Sequence, residues 1–169
     1  MTIAIKRSTL LVDAALLACA CFIPAASHLF ALPLYQLDPM RWLLMVSLLV
    51  GARQGIMKSN GILMAILLPL ISCILVGMPT FTKGLLMVAE LTTNVLLFSL
   101  LASKAQGWAK TFGAMVLSIL GAKLVYYALK ALVVSLGIAS MPILGTGIAL
   151  QAIVMIAISA MVALVLNKR

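Results

Sequence analysis

The stretch "GMPTFTKGLLMVAELTTNVLLF", residues 77–98, is almost wholly apolar, yet it holds Lys83, Glu90 and Asn94. These three are spaced by seven and then four residues, which places them on one face of an α-helix. A helix this apolar reads as a membrane span. A charged group within hydrocarbon costs several kcal/mol unless it is paired or hydrated, so the stripe predicts a face turned to a cavity or a partner and away from lipid.

The rest of the chain carries the same signature. Of its 169 residues 65% are hydrophobic and 9% are charged, with a mean hydropathy of +1.27. Soluble domains carry roughly 25% charged residues, so a soluble surface cannot be built from this composition. The expectation is an all-α integral membrane protein, a single domain over residues 1–169, with six spans and a short second one. The net charge is +9, but the basic residues stand in ones and twos. That pattern fits membrane orientation and excludes a nucleic-acid stripe. Cys19, Cys21 and Cys73 all lie in apolar runs without zinc-ligand spacing, and they read as small packing residues. The segment "KRSTLLVDAALLACAC" is similar to a lipoprotein signal ending at Cys19. Asp13 interrupts its apolar run, however, and the run continues past Cys21, so a retained first span is expected.

The predicted spans are Ser8–Ala31, Pro39–Ala52, Gly55–Val76, Thr82–Ser103, Gly107–Leu136 and Pro142–Leu166. Gly- and Pro-bearing segments mark most of the boundaries. The second is short: the 11 residues between Arg41 and Arg53 make about 16 Å of helix, against a hydrocarbon core of about 30 Å. With six spans and both ends inside, Lys6, Arg7, Arg53, Lys58, Lys104, Lys110, Lys168 and Arg169 face the cytoplasm, while Arg41 and Lys83 face out. That is eight against two; five spans with the N-terminus outside give seven against three.

Several more polar groups sit where a span should be apolar. Lys123 and Lys130 are seven apart with Tyr126 and Tyr127 between them, Gln151 lies in the last span, and Asp38, Arg41 and Trp42 flank the outer end of the second. With six spans, most of these fall in the outer half of the membrane. The candidate binding residues are therefore Arg41, Trp42, Lys83, Glu90, Asn94, Lys123, Tyr126, Tyr127, Lys130 and Gln151, lining a pocket covered by loops at 32–40, 77–83 and 137–142. Simpler roles compete for some of them. Lys83 and Lys130 fit snorkelling to the interface, Glu90 fits a structural pair with Lys123 or Lys83, and the tyrosines fit packing. His28 reads as a satisfied interface residue, and Asp13 as a cap or a partner near Lys6 and Arg7. No catalytic triad, paired-carboxylate motif, phosphate loop or HExxH is present, so neither an enzyme nor a resident cofactor or metal is expected.

Two further features carry a family resemblance. The "AALLA" of the first span sets Ala14 and Ala18 four apart, which lets another helix approach closely. The fourth span opens "MPTFTKGLLMVAEL", a Pro-x-Phe-x-Lys start followed by Met-x-x-Glu-Leu. Together with the length, the six-span pattern, "LLVGARQG" and the basic ends, this resembles the substrate-binding S components of energy-coupling factor transporters, over nearly the whole chain. The resemblance implies capture of a vitamin-like solute from outside. It also implies docking through Ala14 and Ala18 onto a membrane coupling protein driven by two cytoplasmic ATPases, with Lys83, Glu90 and Asn94 in the binding site. Metal-carrying members use an N-terminal histidine segment, whereas this chain begins "MTIAIKRS", so a vitamin-like organic cargo is expected. The pocket residues suit a polar, ring-bearing, zwitterionic or anionic compound. Competing readings are a rod-shape-determining D-type scaffold and an ion-coupled small-solute carrier.

Overall fold

The computed structural model describes residues 7–29, 38–77, 79–140 and 148–167. Those residues form six helices: α1 (Arg7–Leu29), α2 (Pro39–Arg53), α3 (Met57–Val76), α4 (Phe81–Ala102), α5 (Trp108–Ser135) and α6 (Ile148–Asn167). All but α2 are long and apolar enough to cross a membrane. The chain is thus a helical, multi-pass membrane protein. Large apolar side chains point outward (Leu11, Ile74 and Leu124 are each more than 70% exposed). Such a surface is stable against lipid tails and not against water.

The helix ends follow local chemistry. Pro39 occupies the first turn of α2, where its missing N–H costs nothing. Asp38 before it takes a left-handed conformation (φ 50°), which a short polar side chain tolerates. Gly77 ends α3 in the same left-handed region, and its N–H donates to the Cys73 carbonyl at 3.0 Å. The expected spans differ from the helices by one or two residues at most ends. The expected last span begins in a segment, 142–147, that lies outside the described residues. So do the loop at 32–37, including Tyr35 and Gln36, Lys6 and the side chain of His28.

α2 packs against α1, α3 and α6, and it buries Met40, Arg41, Leu44, Met45, Ser47, Leu48 and Gly51. Its direction follows from two levels. Arg41 meets Glu90 of α4, and further along Leu48 and Val95 both crowd Gly61 of α3. α2 therefore runs along the bundle in the same sense as α4. A β-carbon at position 61 would lie 2.9 Å from Val95 Cγ1 and closer still to Leu48, so only glycine allows this three-helix approach.

At 15 residues α2 is about 22 Å long. It begins level with Glu90, nine residues into α4, which is about 13 Å below the start of that helix. Shortness therefore has a consequence: the first turn of α2 delivers Asp38 and Arg41 into the interior of the bundle instead of to its rim.

Near its other end α2 is tied by a hydrogen-bonded knot. Ser47 Oγ donates to Asp13 Oδ1 at 3.0 Å, and Asn60 Nδ2 donates to Ser47 Oγ at 2.8 Å and to Asp13 Oδ1 at 3.4 Å. The described partners of Asp13 are thus side chains of α2 and α3; of the basic residues expected near it, Lys6 lies outside the described residues and Arg7 forms no described ion pair with it. Interhelical bonds of this kind fix helix register where the hydrophobic effect does not discriminate.

Candidate functional site

Four charged side chains, Asp38 just before α2 and one each from α2, α4 and α5, converge level with the first turn of α2. Arg41, 1% exposed, donates through Nε to Asp38 Oδ2 at 2.9 Å and through Nη2 to Glu90 Oε1. Lys123 Nζ lies 2.8 Å from the same Glu90 oxygen and 3.7 Å from Asp38. Two cations and two carboxylates thus form one closed set. Each ion has an opposite charge at contact distance, which is the condition for burying any of them. The guanidinium keeps one nitrogen over: Nη1 is buried and has no hydrogen-bond partner among the described residues.

A cavity of about 160 Å³ opens beside this set. Asp38, Arg41, Lys123, Tyr127 and Gln151 supply its polar groups, and Ile119, Leu120, Ala152, Val154 and Met155 its apolar wall. α5 contributes Ile119, Lys123 and Tyr127 at four-residue steps, so one helical stripe passes from apolar floor to polar head.

The next positions on α5 extend the polar region. Tyr126 packs edge-on against Tyr127 with ring centres 5.5 Å apart. Lys123 Nζ is 5.6 Å from the centre of the Tyr126 ring and Lys130 Nζ is 5.7 Å from it, so two ammonium groups flank one aromatic ring. Lys130 is only 8% exposed.

Of the ten binding residues expected from sequence, Arg41, Lys123, Tyr127 and Gln151 line the cavity. Tyr126 and Lys130 stand beside Lys123. Glu90 lies behind the wall as the acid shared by Arg41 and Lys123. Asn94 is fully buried a turn deeper, where Oδ1 accepts from Ser118 Oγ at 2.9 Å and Nδ2 has no partner among the described residues. Lys83 is exposed in the first turn of α4, and Trp42 packs against the apolar core. Asp38 was missing from the expected set. Its signal was its place three residues before Arg41, one helical turn away. The apolar wall from α5 and α6 had no signal, since its residues resemble any others in those spans. Ala14 and Ala18 are both exposed on α1, in a stripe with Leu11, Ala15 and Phe22.

Among the described residues no group of three His, Cys, Asp or Glu side chains is placed to hold a metal ion. No family model, curated protein or solved structure matches the chain.

Proposed function

We propose that the chain is a substrate-capture component of an energy-coupling factor type uptake transporter, taking a small polar ring-bearing solute from outside the cell. The observation that carries this reading is the cavity of about 160 Å³ between α2, α5 and α6, headed by Asp38, Arg41, Lys123, Tyr127 and Gln151 and walled by aliphatic side chains. A few convergent polar groups over an apolar wall is the usual composition of a small-molecule site. A pure scaffold has no use for one.

In this reading α2 crosses with the other five helices, giving six spans in the cell membrane with both termini cytoplasmic, as the basic residues favour. The cavity then opens outward. Asp38 and Glu90 hold Arg41 and Lys123 in fixed positions, so that the solute meets preorganised donors. Tyr127 supplies a ring face and Gln151 an amide. Solute release requires a change of orientation or shape driven by partners, a membrane coupling protein and two ATPases, because the chain has no nucleotide-binding motif of its own. The exposed alanines of α1 are the proposed contact with that coupling protein.

The test is where the energy comes from. The purified chain alone in proteoliposomes should bind solute without accumulating it, and accumulation should appear when coupling protein and ATPases are added. Accumulation by the chain alone, driven by an ion gradient, would establish the carrier reading instead. Gln151→Leu is expected to weaken solute binding roughly 10-fold, the worth of one lost hydrogen bond to a polar group. Its melting temperature in detergent should stay close to that of the wild type, because Gln151 is half-buried and makes no side-chain hydrogen bond to another helix among the described residues.

A further inference from the structure

The whole chain has three acidic residues, Asp13, Asp38 and Glu90. Asp38 and Glu90 are committed to Arg41 and Lys123. Asp13 is held by Ser47 and Asn60 at the far end of α2. No acidic side chain is left for Lys130, although it is 8% exposed and on the same face of α5 as Lys123 and Tyr127. In and beside the cavity's lining, Arg41, Lys123 and Lys130 stand against Asp38 and Glu90, an excess of one positive charge, and Lys83 at the rim adds to the positive field at Lys130. The Lys130 side chain is buried along most of its length, but its ammonium is not among the sealed polar atoms without a partner, so it can take a counter-ion from outside the protein; a ring face offsets only part of that need. Arg41, whose Nη1 is sealed and has no partner among the described residues, is a second cation in the cavity's lining.

Resting on the solute-site reading above, we propose that the solute is a single-ring anion, bearing one carboxylate or phosphate group that supplies the counter-charge for Lys130. Size sets the ring. A cavity of about 150 Å³ holds one benzene-sized ring, and this one measures about 160 Å³. The ring lies against Ile119, Leu120, Val154 and Met155, and the anionic group points toward the ammonium groups that flank Tyr126. A lipid headgroup phosphate is the other source of the same chemistry, and the experiment separates the two.

The purified full chain in a neutral detergent is heated with benzoate, phenyl phosphate, benzamide, inorganic phosphate or phosphatidylglycerol at matched ionic strength. Benzoate or phenyl phosphate should raise the melting temperature in a saturable way, as a ligand of the folded state must, while benzamide should not. Lys130→Met should need roughly 10- to 100-fold more benzoate or phenyl phosphate for the same rise, the worth of a charge-assisted bond. Without ligand it should melt no lower than the wild type, since an uncompensated charge has been removed. Lys130→Arg should restore the response. If benzamide stabilises as well as benzoate, the solute is neutral at this position: the inference fails and the solute site stands. If phosphatidylglycerol alone stabilises through Lys130, the counter-ion is a lipid headgroup and the anionic solute is overturned. No response to any ring anion would also overturn it, leaving the solute site to be judged by the molecules that the protein releases.

Discussion

Arg41→Met is expected to cost about 3–5 kcal/mol of stability, the range for breaking a buried ion pair from one side. It should be the most damaging single substitution in the bundle. Arg41 is 1% exposed and bonds both Asp38 and Glu90, so its loss leaves two carboxylates to share Lys123. The cost is that of uncompensated charge more than of lost contact, and this gives a rescue. In the double variant Arg41→Met with Glu90→Gln, Lys123 and Asp38 remain as a matched pair 3.7 Å apart. Thermal unfolding in detergent should show the double variant more stable than Arg41→Met alone. If the two losses simply add, the four groups do not form one network. Glu90→Gln alone should also weaken solute binding, through the position of Arg41 and Lys123 instead of by direct contact.

The second large effect concerns transport. Ala14→Trp and Ala18→Trp should abolish uptake in cells that hold the coupling protein and ATPases, while solute binding by the purified protein stays at the wild-type level. Both alanines are exposed on α1, one turn apart, and neither lines the cavity. Close helix approach at small residues is lost when a large side chain fills the gap. An indole at either position faces lipid as readily as Phe22 does, so insertion and folding should be unaffected. Normal uptake by both variants would remove α1 as the docking helix.

The sequence and the structure agree where local rules govern. Apolar run length and Gly and Pro punctuation place the helices to within a residue or two at most ends, because a bilayer leaves the backbone little alternative to a helix. The polar stripe of α4 was readable from the spacing of Lys83, Glu90 and Asn94. Partner choice was readable only in part: Glu90 was expected to pair with Lys123 or Lys83 and does meet Lys123, but its second partner was not legible. Glu90 and Arg41 are 49 residues apart, and nothing in either segment's periodicity names the other. The same is true of Asn94 with Ser118 and of Asp13 with Ser47 and Asn60. The stripe itself divides in three dimensions. Lys83 stays at the rim, Glu90 enters the ion network and Asn94 is sealed in the core. The brevity of α2 reads in sequence as an obstacle to spanning. In the fold it is what sets Asp38 and Arg41 inside the bundle, at the head of the cavity.

The central claim is that this cavity holds a solute, and the most direct measurement is mass spectrometry of what the protein releases. The chain is purified in mild detergent from cells grown in rich medium, then denatured, and the freed small molecules are weighed and counted. One single-ring anionic compound per chain is the predicted result. A folded preparation that releases only phospholipid and detergent would contradict it.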